Sequence, residues 1–245
     1  MSLAPSIALS LPCLFLLFLL IEAVAGPARA FPRIRFWRLL GLAAMATTLA
    51  VYALVPPLLL PWLPARSPLD LGRLGLVAAL PTVLLASFLA YWAHRLQHRS
   101  DSLWRLGHQL HHSVLRVDTA SAMMFHPFEL IVQAGLTTFA AWALGAPRDA
   151  AALAGLIAFL LGLFPHLNIG TPLWLGPWLQ RPEAHLLHHE RGVHARNYGE
   201  LPLWDLLFGT YANPVSIEGV AVGFEPRRSR RVLAMLAWRD VNRER

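Results

Sequence analysis

The spacing H-x-x-H-H occurs twice in this chain, at His108-His111-His112 and at His185-His188-His189, and any fold must accommodate both copies. Eleven histidines scattered at random over 245 residues would give only about 0.02 such triplets. On a helix, positions i, i+3 and i+4 share one face, and so do His94 and His98 at i and i+4. With His166 standing alone, nine imidazoles fall into four groups, each presented in one direction within a helical turn. Imidazole is a good ligand for iron, zinc and copper. Nine rings exceed the roughly four to six ligands that one ion accepts. The count predicts two metal ions.

The rest of the sequence places that site at a membrane. Hydrophobic residues make up 56% of the chain and charged ones 14%, with a mean hydropathy of +0.48. That balance belongs to an all-α integral membrane protein rather than a soluble enzyme. All 21 basic residues are arginine, which suggests a GC-rich, bacterial genome. A net charge of +7 in a soluble protein would suggest nucleic acid; here the arginines flank apolar runs, so they read as anchors at a lipid surface, and no nucleic-acid partner is expected. The single cysteine, Cys13, lies in an apolar run and excludes both an internal disulfide and a cysteine-held iron–sulfur cluster.

Five apolar segments predict four or five membrane-embedded helices: Ser6 to Ala25, Trp37 to Leu63 (broken near Pro56, Pro57 and Pro61), Leu74 to Ala93, Leu130 to Leu144, and Ala150 to Pro165. The last two are short and read as a hairpin that enters the membrane only in part. Ala28-Arg29-Ala30 resembles a cleavage site, but the first run has no basic segment before it and reads as a retained span. Arg29, Arg33, Arg35 and Arg38 put the first loop in the cytoplasm. Counting crossings from there brings all four histidine groups to the cytoplasmic face. Three regions are expected within one domain: anchor helices over 1–80, a catalytic region over 81–215 and a basic cytoplasmic tail over 216–245.

The motifs themselves are distinctive. They comprise Tyr91-Trp92-Ala93-His94-Arg95-Leu96-Gln97-His98, then Leu103-Trp104-Arg105-Leu106-Gly107-His108-Gln109-Leu110-His111-His112, then Phe125-His126-Pro127-Phe128-Glu129. His166-Leu167-Asn168, the third cluster, Asn197-Tyr198-Gly199, Trp204-Asp205 and Phe208-Gly209-Thr210-Tyr211 follow in order. From about residue 80 to 215 the chain closely resembles the sterol desaturase/fatty acid hydroxylase superfamily. The resemblance implies a non-haem di-iron membrane enzyme acting on a lipid C–H bond, with two iron ions as cofactor and O2 as co-substrate. It implies His94, His98, His108, His111, His112, His166, His185, His188 and His189 as metal ligands. Two positions depart from the common pattern: Leu186 where arginine is frequent, and Glu190 where serine is. Neither removes a ligand.

Other residues take supporting readings. Glu129 and Asp205 are the carboxylates nearest the motifs, suited to orienting ligand imidazoles or to capping helices. His126, before Pro127, reads as a structural or supporting residue, Asn168 as a turn residue or a further oxygen ligand, and His194 as a solvated loop histidine. O2-dependent hydroxylation needs two external electrons, and the chain has no dinucleotide fingerprint or haem domain. A cytoplasmic donor is expected, a ferredoxin or a cytochrome with its reductase. Hydroxylation is favoured over desaturation of an acyl chain, sterol or related lipid. A zinc enzyme and a metal carrier are the alternatives, but no H-E-x-x-H base is present and the spans lack the buried ionisable residues of an ion path.

Overall fold

Residues 2–243 are described by a computed structural model. Helices account for the regular structure, and no strand occurs among the described residues; one isolated bridge pairs Glu190 with Val222. Four segments are long and apolar enough to cross a bilayer: Ala4–Ala25, Trp37–Trp62, Gly72–Arg99 and Arg148–His166.

Helix α1 (Ala4–Ala25) buries only Phe15, while Leu9 and Val24 are 76% and 79% exposed. An apolar helix with no polar face that leaves most of its side chains exposed is stable only where lipid is the solvent. Its start is capped from a distance. The Asp149 carboxylate accepts from the Ser2 hydroxyl at 2.6 Å and from the amides of Leu3 and Ala4 at 3.0 and 3.1 Å. Those are the donors that a helix N-terminus leaves without partners.

Helix α2 (Trp37–Leu59) runs through Pro56 and Pro57 and gives way to a 3-10 turn, Leu60–Trp62. This is the break expected from the prolines; the lost backbone bonds fall at the helix end, where they cost little. Helix α3 (Ala79–Arg99) carries its apolar stretch straight into the His94 and His98 turns. The one-turn α4 (Asp101–Leu103), a π-helical turn at Trp104–His108, and α5 (Gln109–His112) then lead the chain across the end of the bundle.

Helices α6 (Pro127–Ala143) and α7 (Arg148–Leu163) form the expected hairpin. At 17 residues α6 falls short of a full span, whereas α7 with its 3-10 extension Phe164–His166 reaches 19. Gly145 makes the turn with φ of 58°, and a Cβ there would sit 2.5 Å from the Leu69 carbonyl oxygen, so only glycine fits. Helices α2 and α3 pack on α6, and α1 and α3 on α7. Two short helices, α8 (Pro182–His188) and α9 (Pro202–Phe208), complete the histidine-rich end.

The segment after residue 215 folds back onto this end. Val220 and Val222 join a cluster with Trp37, Val117 and Leu186, and Met235 and Val241 are buried beside Leu110 and Trp104. Gln109 clamps it by donating to the Arg239 carbonyl and accepting from the Val241 amide, both at 2.9 Å. The buried Leu186 explains one departure from the motif, since an arginine there would have to be buried in an apolar cluster.

Gly41 on α2 is pressed against the backbone of Ala120: a Cβ would lie 2.7 Å from the Ala120 carbonyl oxygen and 2.9 Å from its Cα. Gly135 on α6 has nothing within 4 Å. Gly41→Val should therefore destabilise the protein by about 1–3 kcal/mol, while Gly135→Ala should be neutral or stabilising by up to about 1 kcal/mol. Thermal unfolding in detergent micelles compares the two, and equal midpoints would remove the close contact from the account.

Candidate metal centre

The last turns of α3 aim His94 and His98 inward, the π-helical turn adds His108 and α5 His111 and His112, the 3-10 extension of α7 adds His166, and α8 with the residue after it adds His185, His188 and His189. The nine rings separate into two groups whose ligand atoms lie within 4.8 Å of one another. One holds His94, His98, His108, His112 and His188; the other holds His111, His166, His185 and His189. Each triplet is divided in the same way. The i and i+4 members (108 and 112; 185 and 189) serve one group, and the i+3 member (111; 188) crosses to the other. The two triplets thus interlock, each lending one ring to its partner's group.

The approach is through Nε2. His94 and His108 Nε2 are 2.8 Å apart, His98 and His94 3.2 Å, and His112 and His188 3.1 Å. In the second group, His166 lies 3.3 Å from His111 and 3.1 Å from His185, with His189 3.1 Å from His185.

The far side of several rings fixes where the proton is. His94 Nδ1–H donates to the Tyr198 carbonyl at 2.7 Å, His166 to Gly162 at 2.9 Å and His188 to Arg196 at 2.8 Å. His108 Nδ1–H donates to the Glu129 carboxylate at 2.7 Å. The three backbone carbonyls cannot give a proton back, so His94, His166 and His188 each turn a bare Nε2 lone pair inward unless charged, and an ionised Glu129 fixes His108 in the same way. Charging is opposed. Burial, followed by the repulsion of neighbouring imidazoles, holds His108, His111, His112, His185 and His189 well below the usual histidine range; for His188 burial is again the main cause.

Lone pairs facing one another at about 3 Å repel unless a cation lies between them. Metal–nitrogen bonds of about 2.1 Å space adjacent ligand atoms about 3.0–3.4 Å apart. The donor set therefore fits two first-row metal ions.

The supporting residues differ in how close they stand. Glu129, 2% exposed, bonds His108 directly, with Gln133 donating to it. Asp205 acts one step back: it accepts from the Tyr198 and Gly199 amides and the Thr210 hydroxyl, and so fixes the carbonyl that holds His94. Asn197, at φ of 54°, ties this loop to α8 through the Ala184 carbonyl. Gly199 is required because a Cβ would meet the Leu201 carbonyl oxygen at 2.6 Å. Glu190 pairs with Arg196, whose carbonyl holds His188, which accounts for the second departure from the motif.

Asn168 and His126 sit apart from the rings. Asn168 exchanges bonds with the Arg29 backbone, pinning the loop after α1 to the end of α7, and His126 accepts from the Phe128 amide to cap α6. The structure also brings in residues that the sequence did not single out as part of the site. His194 is exposed to solvent, yet its Nδ1 is 3.1 Å from His98 Nδ1 and its ring packs edge-on against Trp104. Phe125 stacks on His111 with ring centroids 4.1 Å apart. No periodicity marks either one.

Both groups border a cavity of about 1030 Å³ enclosed by α1, α2, α3, α6 and α7. His94, His108, His111, His166 and His185 line its inner end, and apolar residues such as Leu11, Leu49, Leu136 and Leu156 line the rest.

The sequence profile of the fatty acid hydroxylase family matches residues 79–210, more than half of the chain and all nine histidines. An ornithine lipid hydroxylase, OlsE, of Rhizobium tropici is 34% identical over 161 residues, which make up 63% of this chain and 48% of that protein. The chain thus spans about half the length of that curated relative. No solved structure matches it.

Two outcomes follow from this geometry. Imidazoles depressed below their unfolded value of 6.5 bind fewer protons in the folded chain than in the unfolded one. Their contribution is complete above about pH 6.5 and is lost as pH falls from there toward the folded values. The unfolding midpoint should drop by several degrees between pH 7.5 and 5.5; a flat profile would mean the rings are not held neutral. Glu129→Ala should weaken metal affinity about 10–100-fold, measured by competition with a chelator. Asn168→Ala should leave that affinity unchanged.

Proposed function

Because this chain belongs to the fatty acid hydroxylase family, we propose that it is a membrane-bound di-iron oxygenase that hydroxylates a lipid. The observation that carries the reading is the meeting of two imidazole groups with the inner end of an apolar cavity. Balance requires one oxygen atom to enter a C–H bond as a hydroxyl. The other leaves as water with two protons and two electrons. The electrons come from a separate cytoplasmic donor, a ferredoxin or a cytochrome with its reductase.

Two irons held by the nine histidines would supply dioxygen activation and relay the donor's electrons. The chain's own residues do the rest. Neutral imidazoles would leave the full positive charge on the ions, and Glu129, when ionised, would offset part of it through His108 in the five-histidine group. The Tyr198, Gly162 and Arg196 carbonyls keep Nε2 free of protons and prevent the rings from rotating. Burial of the rings keeps bulk water from the reacting position, which protects a reactive oxidant from side reactions.

The cavity's apolar walls run the height of the helices, so an acyl chain can lie along α7 with its polar end toward the histidines. The name of the Rhizobium relative points to an ornithine lipid, a lipid with an amino-acid head, as the substrate class. It also favours hydroxylation over desaturation, which would remove a second hydrogen in place of inserting oxygen. We place the chain in a bacterial inner membrane with the histidines on the cytoplasmic side, from the arginines between α1 and α2.

Cells expressing the wild type with a competent donor, grown under ¹⁸O₂, should contain a lipid that gains one labelled oxygen, absent from cells expressing His111→Ala. A lipid lighter by two hydrogens would replace hydroxylation with desaturation, and no change in any lipid would remove the oxidative role. A reporter near Ser67 should read as external and one after Arg245 as cytoplasmic; a cytoplasmic signal at Ser67 would overturn the orientation.

A further inference from the structure

Glu200 follows the Asn197-Tyr198-Gly199 loop and reaches into the cavity that the histidines border. Its Oε1 lies 3.4 Å from where a Cβ on Gly162 would stand, so the carboxylate rests against α7 at a residue without a side chain. Gly162 is also the residue whose carbonyl holds His166. The Glu200 carboxylate therefore lies about one helical turn from the four-histidine group. Tyr52 of α2 lines the same cavity.

Among the described residues, this carboxylate has no hydrogen bond or ion pair, and burial alone pushes it up to about 7. The other carboxylate lining the cavity, Glu129, is engaged by His108 and Gln133. Arg148, the only arginine on the cavity wall among the described residues, is at the opposite end of α7, 14 residues from Gly162 and so about 21 Å away along the helix. It cannot serve as the counter-ion. Glu200 is not part of either metal-binding group. A carboxylate facing an apolar cavity without a partner is costly while ionised, and either a proton or a cation in the cavity relieves that cost.

We propose that Glu200 is a specificity residue that pairs with a primary ammonium on the polar head of the lipid substrate. The proposal rests on the cavity being the lipid site. It orients the ligand as the cavity does, with the charged head at the histidine end and the apolar chains along α7. The relevant chemistry is an alkyl ammonium, compact and able to donate to both carboxylate oxygens in turn. A neutral or anionic head offers no such partner.

The test uses the full-length, iron-loaded protein in detergent micelles and three probes: an ornithine lipid with a free ammonium, the same lipid acetylated on that nitrogen, and free ornithine. The wild type should bind the ammonium lipid at least tenfold more tightly than the acetylated one and free ornithine far more weakly than either. Glu200→Gln, nearly isosteric, should bring the ratio of the two lipids close to one, with metal content unchanged. Glu200→Asp should retain part of the preference.

A wild type without preference overturns the assignment whether or not the variants fold. So does a Glu200→Gln protein that keeps the full tenfold ratio. Free ornithine binding as tightly as the lipid would make the site one for a soluble amine and would overturn it too. Oxygen incorporation by the wild type is read separately. Label entering a lipid while the binding ratio stays at one refutes the ammonium contact alone, and absence of label from every lipid refutes the hydroxylase reading beneath it.

Discussion

Everything at the inner end of this protein depends on keeping imidazole nitrogens bare and close together. Rings whose Nε2 atoms stand 2.8 to 3.3 Å apart repel in the absence of a cation, and water would relieve that repulsion by protonating them. The fold prevents this in two ways. Backbone carbonyls and one carboxylate take the proton on the far side of the ring, and burial makes a second proton costly. The π-helical turn at Trp104–His108, the left-handed Asn197 and the glycine at 199 are local irregularities that place those acceptors. The Gly162 carbonyl and the Glu129 carboxylate are instead presented by the regular helices α7 and α6.

The interlocking of the two triplets explains why the spacing is H-x-x-H-H rather than a simple pair. An i, i+4 pair aims two rings at one point, and the i+3 ring, rotated about 60° from i around the helix axis, reaches a second point beside it. With α5 and α8 facing each other, the ring that strays from one group completes the other. Removing one ring is thus expected to disturb a single centre first. The bundle beneath serves the same end. Helices α3 and α7 each finish in histidines of the cluster, so their packing in the bundle sets where the site meets the cavity.

Much of this was legible in the sequence, because periodicity records which side of a helix a residue faces. The nine histidines, the apolar spans and the α6–α7 hairpin follow from spacing and hydropathy. What periodicity does not record is how one helix meets another. The division of rings between two groups depends on the packing of α5 against α8. The roles of Asn168 and His126 depend on which backbone groups lie nearby: Asn168 fastens the loop after α1, and His126 caps α6. His194 reads as a solvated loop residue and is exposed, yet the fold of the loop brings it to the back of His98. The basic stretch after residue 215 gives no periodic signal, and its docking rests on a few scattered apolar residues and two hydrogen bonds to Gln109.

The central claim is that nine histidines form two separate metal sites rather than one. Iron counted per chain in protein purified under reducing conditions addresses it directly, compared between the wild type and His166→Ala, since His166 belongs to the four-histidine group alone. The account predicts close to two irons in the wild type and close to one in the variant, with the remaining iron still held by imidazole nitrogen in its X-ray absorption spectrum. A wild type that saturates at one iron, or a variant that keeps both, would contradict it.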